Sequence, residues 1–257
     1  MMQLEVCAST PVDVAIALEA GANRVELCAH WECGGLTPTP AMIRASVALD
    51  IPVRALVRPR AGHFVYNGSE RNLIISEAID CIEAGAESIE LHAGIPDDKS
   101  TIQEWGIVSQ SVPNGMISMC LDRKHLSNET LIDRIKAAKE IADDRLIIQA
   151  DGIPMSGGTD DFNTTLQAVS IADFINKEMK RKDKIFRNLP VLISGGTNSY
   201  TGNLARKCGV PFNGITIGTH ARKVVTKFES KPDELKEDDL NLALNNARNL
   251  IRKNLYA

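Results

Sequence analysis

The chain has 257 residues, 29 Lys and Arg against 33 Asp and Glu, and a formal net charge of -4, with 44% hydrophobic but only 4% aromatic residues. This is the make-up of an ordinary globular domain, and the acidic balance argues against nucleic-acid binding by bulk charge. The basic cluster at 177–184 is itself interrupted by Glu178 and Asp183. The opening residues Met1-Met2-Gln3-Leu4-Glu5 carry neither a basic nor an apolar leader pattern, and no apolar run approaches the roughly 20 residues of a membrane helix. A cytoplasmic protein with no membrane partner is expected. Six cysteines without a CxxC pair indicate neither a disulfide framework nor a zinc ribbon.

In chain order, β-branched or alternating runs predict strands at 3–7, 24–28, 52–57, 88–92, 116–121, 146–150, 191–194 and 214–218. Helical patterns follow them, among others at 11–20, 40–49, 70–84, 128–142 and 164–180. Eight such units predict an α/β fold, a TIM (β/α)8 barrel of parallel strands, as a single domain over 1–257. The charged stretch 226–240 reads as a connection to a last helix. An internal repeat supports the barrel. Leu18-Glu19-Ala20-Gly21-Ala22 returns as Ile82-Glu83-Ala84-Gly85-Ala86, each followed by a strand. Gly21, Gly85 and Gly209 stand where a helix ends and a left-handed cap is wanted.

Strand parity then sorts the side chains. Leu4, Val6, Val25, Leu27, Ile89, Leu91, Ile117, Met119, Ile215 and Ile217 suit the outer face under the helices. The opposite parity is unusually polar: Glu5, Cys7, Arg24, Glu26, Cys28, Arg54, Arg58, Ser88, Glu90, His92, Ser118, Cys120, Asp122, Gln149, Asp151 and Thr216. Buried charges need partners, so Glu5, Glu26 and Glu90 are expected to meet Arg24, Arg54 or Arg58. Residues at the C-terminal strand ends open onto the face where barrels keep their chemistry.

Three candidate sites follow. Glu26, His92 and Asp122 are the acid–base candidates, being inward and near the mouth; Glu90 shares that position. No Gly-x-Ser-x-Gly elbow supports serine hydrolysis. Gly195, Gly196 and Thr197 after strand seven, with Gly218 and Thr219 after strand eight, suit a backbone cradle for an anion or a plain tight turn. Arg58 and Arg60 either offer guanidinium forks to that anion or tie their loop to Glu26 or Glu90. Cys7 and Cys28 end neighbouring strands, where two sulfurs suit copper(I) or serve as buried packing. No nucleotide cofactor is indicated. The partner is therefore a small anionic ligand or a copper ion.

Four ordered motifs carry a resemblance: Glu5-Val6-Cys7, Ala20-Gly21-Ala22-Asn23-Arg24-Val25-Glu26-Leu27-Cys28, Gly34-Gly35-Leu36-Thr37-Pro38, and the run from Val57-Arg58-Pro59-Arg60 to Tyr66. Over roughly the first 95 residues the chain resembles the CutC copper-homeostasis family. That resemblance implies a cytoplasmic, homo-oligomeric TIM barrel with a role in copper tolerance and Cu(I) held at Cys7 and Cys28. After strand five the chain has Cys120-Leu121-Asp122-Arg123-Lys124 where that family carries His-Arg-Ala-Phe-Asp. Its later segments, Gln149-Ala150-Asp151-Gly152, Ser194-Gly195-Gly196-Thr197 and Gly218-Thr219-His220-Ala221, resemble the C-terminal barrel domain of the cyanobacterial light-dependent period protein. Three functions are compatible: CutC-like copper handling, an enzyme acting on a small phosphorylated or carboxylated metabolite, or a non-catalytic interaction barrel.

Overall fold

The structure is a computed structural model that describes residues 3–19, 21–63, 66–91, 99–121, 128–151, 162–180, 186–195, 197, 201–209 and 214–217. Its strands are β1 (Gln3–Ala8), β2 (Arg24–Leu27), β3 (Val53–Val57), β4 (Ser88–Leu91), β5 (Met116–Leu121), β6 (Leu146–Asp151), β7 (Val191–Ser194) and β8 (Gly214–Ile217). They pair in chain order, all parallel, and β8 returns to β1 to close a barrel. The helices outside are α1 (Pro11–Glu19), α2 (Pro40–Val47), α3 (Gly68–Glu83), α4 (Lys99–Ser111), α5 (Asn128–Ala142), α6 (Phe162–Phe174, continued by a π-helix over Ile175–Lys180) and α7 (Thr201–Lys207). The TIM-barrel expectation holds. The charged stretch 226–240 lies outside the described residues.

The outer strand parity is the hydrophobic core. Leu4, Val6, Val25, Leu27, Ile89, Leu91 and Ile117 are buried against helix residues such as Val14, Ile43, Ile74, Ala78, Leu131 and Ile135. The helices also begin and end for local reasons. Asn67 caps α3 by accepting from the Ser69 and Glu70 amides, while Glu70 reaches back to the Asn67 amide and completes a capping box. The repeated Glu-Ala-Gly-Ala segments both end their helices in the same way. Gly85 adopts φ 105, the Gly85 amide bonds Ile82 O and the Ala86 amide bonds Cys81 O. Gly21 and Ala22 make the matching bonds to Leu18 and Ala17, so both glycines close Schellman caps that turn the chain into the next strand.

Several strand ends differ from expectation by one residue: β1 runs on to Ala8, β2 stops at Leu27, β3 starts at Val53, and β6 runs on to Asp151, which pairs in register with Ser194 of β7. Asp151 therefore belongs to the barrel wall and not to the loop above it.

Ile117 is fully buried, whereas Leu73 on α3 is 46% exposed. Ile117→Ala is expected to lower unfolding free energy by about 2–5 kcal/mol in urea titrations. Leu73→Ala should stay within about 0.5 kcal/mol of the parent.

Candidate functional site

The barrel axis is filled by an ionic network centred on Arg54, whose side chain is fully buried. Its Nη2 pairs with Glu5, with Glu26 Oε2 at 2.9 Å and with Glu90 Oε2 at 3.2 Å. Its Nη1 meets Ser118 Oγ at 2.5 Å. Arg24 Nε holds the other oxygen of Glu5 at 2.5 Å, and Thr216 Oγ1 donates to Glu5 Oε1 at 2.7 Å. Gln149 Nε2 donates to Glu90 Oε1 at 3.1 Å. Register explains the convergence: Glu5 lies opposite both Arg24 and Thr216, Arg54 opposite Glu26 and Ser88, and Glu90 opposite Ser118. The expected pairing of glutamates with Arg24 and Arg54 is what the structure contains.

Three carboxylates share two guanidinium groups, and the network divides them. Burial would raise the Glu5 carboxyl, but Arg54, Arg24 and the Thr216 hydroxyl together hold it below its ordinary value. Glu26 goes the other way. Burial, and then the neighbouring Glu90, push it well above the usual carboxylate range despite the opposing pull of Arg54. Glu26 consequently retains a proton where an ordinary glutamate would have lost it. Its side chain is 12% exposed, against 1% for Glu5 and 0% for Glu90, so it is the member of the trio nearest to solvent.

Sulfur and further acid stand beside this trio. Burial pushes the Cys7 thiol well up, helped by Glu26, Cys28, Glu5 and Glu90. Cys7 is half-buried and Cys28 buried, and neither is in a disulfide. Asp151 accepts from Ser194 Oγ at 3.0 Å, and Cys120 Sγ lies 3.7 Å from the same oxygen. Among the described residues, no group of three or more His, Cys, Asp or Glu is arranged to hold a metal ion.

The other candidates separate. His92, Asp122, Gly196, Gly218 and Thr219 lie outside the described residues. Gly195 has the left-handed backbone (φ 64) that the turn after β7 needs. Thr197 is buried and its hydroxyl donates to Thr216 O, so that hydroxyl is engaged with the chain itself. Both arginines hold neighbouring loop backbone, and Arg60 also pairs with Glu70. Arg58 donates to the carbonyls of Cys33, Gly34, Gly35 and Gly62 at 3.0–3.1 Å. Arg60 pairs with Glu70 at 2.5 Å and lies 4.9 Å from the Tyr66 ring centroid. The neutral partners Ser118, Gln149, Ser194 and Thr216 are the residues that sequence reasoning left without a role. Inward parity was the available signal.

Arg54→Leu should cost about 3–5 kcal/mol in urea unfolding, because it strands the glutamates without their shared cation. Adding Glu5→Gln should recover part of that loss. Stability should also depend on pH in two opposite windows. Glu26 contributes fully below the ordinary carboxylate pKa, and its contribution is lost as pH rises through its raised value; Glu26→Gln should flatten that alkaline fall. Glu5 contributes above the ordinary carboxylate pKa and loses its contribution as pH falls through its lowered one. Urea midpoints measured across pH check both signs.

Comparison with known proteins adds two family matches. Residues 2–113 match the CutC family, and residues 81–255 match the Light dependent period A C-terminal domain. A family protein CutC of Rhizobium meliloti is 34% identical over 98 residues, which is 38% of this chain and 40% of that protein. The matched stretch thus spans about two-fifths of the first curated relatives, while a family protein CutC of Caulobacter vibrioides is 26% identical over 244 residues, 91% of each chain. Among solved structures, one described as a copper homeostasis protein CutC from Streptococcus agalactiae aligns with TM-score 0.66 and 18% identity, over 85% of this chain and 99% of that one. The phosphoribosylanthranilate isomerase of Thermotoga maritima aligns with TM-score 0.55 and 14% identity over 100% of both chains. These two likenesses speak to the shared barrel fold. With more than half its length matched, the chain belongs to the Light dependent period A C-terminal domain family, and its first part is similar to the CutC family.

Proposed function

We propose that the barrel performs acid–base chemistry on a small carbonyl-containing metabolite entering at the C-terminal mouth, with Glu26 carrying the proton. The observation behind this reading is that Glu26 combines a raised pKa with partial exposure, while the fully enclosed Glu5 and Glu90 serve as its fixed surroundings. A carboxyl group that holds its proton above the usual carboxylate range can donate to a carbonyl oxygen as charge develops there. Asp151, half-buried on the same inner wall, is the complementary carboxylate. A phosphate or carboxylate on the substrate would be held by backbone N–H groups of the turn at Gly195, since the Thr197 hydroxyl and the Arg58 guanidinium are engaged elsewhere.

The test is deuterium wash-in. The protein is incubated in D2O with a panel of small ketoses, aldoses and oxo acids, and loss of signal beside the carbonyl is followed by proton NMR. Exchange is expected with at least one of them, falling as pH rises through the Glu26 value and dropping about 10²–10⁴-fold in Glu26→Gln. No exchange across the panel, or full exchange in the variant, overturns the assignment.

A second reading is favoured by the thiols. Cys7 lies on β1 near Glu26, Glu5 and Glu90, Cys28 follows the end of neighbouring β2, and the carboxylates that hold the proton on Cys7 equally favour a monovalent cation in its place. Copper(I) as cargo suits two thiolates in such a field, and copper homeostasis is the description carried by the Streptococcus agalactiae protein. Anaerobic competition against a chromogenic Cu(I) chelator should give one bound ion per chain, lost in Cys7→Ser and in Cys28→Ser. Unchanged stoichiometry in both variants removes copper from the site.

A further inference from the structure

We infer that Arg58 is a positioning residue that latches the segment 30–35 as a cover over Cys28, so that access to this thiol is governed by a loop and not by its strand. The inference depends on neither reading above. It begins with how the segment folds. After β2, Ala29 and Leu36 exchange backbone hydrogen bonds at 2.8 and 2.7 Å, so the intervening residues double back over the strand end. The turn passes through His30 at φ 49, a short 3-10 turn over Trp31–Cys33, and Gly34 and Gly35 at φ 86 and 85.

Both glycines are favoured by backbone angle, and Gly35 is required by contact as well. A Cβ on Gly35 would lie 2.7 Å from Leu56 Cδ2 and 3.2 Å from the Cβ and Sγ of Cys28. The Gly35 backbone therefore rests directly on the thiol, which is 2% exposed. A Cβ on Gly34 would lie 3.1 Å from Arg58 Nη1. The latch occupies that space. Arg58 Nη1 lies 3.0–3.1 Å from the carbonyls of Cys33, Gly34 and Gly35, while Nη2 bonds Gly62 O at 3.0 Å and so ties the cover to the next loop.

The main chain of Arg58 is fixed too. The Thr37 amide donates to Arg58 O at 3.0 Å, and the Arg58 amide donates to Thr37 Oγ1 at 2.8 Å. Thr37 Oγ1 in turn donates to Glu77 of α3. The planar guanidinium fork can meet several carbonyls at once; a lysine ammonium at the same point cannot span the cover and Gly62 together.

Thiol labelling with mapping of each cysteine by mass spectrometry tests the latch. In the parent, exposed Cys33 and Cys208 should react quickly and buried Cys28 and Cys81 slowly. In Arg58→Lys, which keeps the positive charge and so leaves the local field largely unchanged, Cys28 should react at least tenfold faster with Cys81 unchanged. Gly35→Ala, which forces the cover away from Leu56 and Cys28 while leaving the Arg58 side chain itself unchanged, should give the same selective gain. Three outcomes overturn the inference: a parent Cys28 as fast as Cys33, a Cys28 rate unmoved in both variants, or equal acceleration of Cys28 and Cys81, which would mean general loosening of the fold.

Discussion

The ionic centre of this barrel depends on one guanidinium group. Arg54 is surrounded by three glutamates and could not be enclosed without them, nor they without it. Arg24 neutralises part of Glu5 from the other side, leaving three acids to two bases. Burial and the neighbouring Glu90 raise the carboxyl of Glu26, the least enclosed of the three. The raised Glu26 and the charge balance of the cluster are thus two descriptions of one arrangement.

The two family matches divide this arrangement unevenly. Glu5, Arg24, Glu26, Arg54, Arg58 and Glu90 all lie within the CutC match at 2–113, together with Cys7 and Cys28. The later strands contribute Ser118, Gln149, Asp151, Ser194 and Thr216, which are neutral hydrogen-bonding partners with a single acid among them. The first part of the barrel supplies the ionic centre, and the later part supplies the polar wall that receives it.

Much of this was legible in the sequence because a strand has a strict period of two and a helix end has a chemical signature. The apolar parity of Val25, Leu27, Ile89 and Leu91 fixed which residues face the helices, and so which charges face the axis. The two Glu-Ala-Gly-Ala segments announced their caps. What parity could not convey was the reach of a long side chain. Arg58 shares its parity with Arg54, yet it sits one residue beyond β3, where a folded-back loop presents three carbonyls to it. Its partners are set by the path of 30–35, and that path follows from glycine backbone angles and tertiary contact, not from any periodic pattern. The same limit applied to Thr197, whose hydroxyl is captured by the neighbouring strand.

The hydrogen bond from Thr216 to Glu5 joins residues 211 positions apart. During synthesis β1 emerges well before β8, and the Glu5 carboxylate must wait for all the strands between them before its Thr216 donor arrives. An amino-terminal fragment of this barrel would therefore leave Glu5 short of that donor and β1 with an open edge. The ribosome must release the eighth strand before the first has its complete set of neighbours, which makes closure of the ring a late event in the life of each molecule.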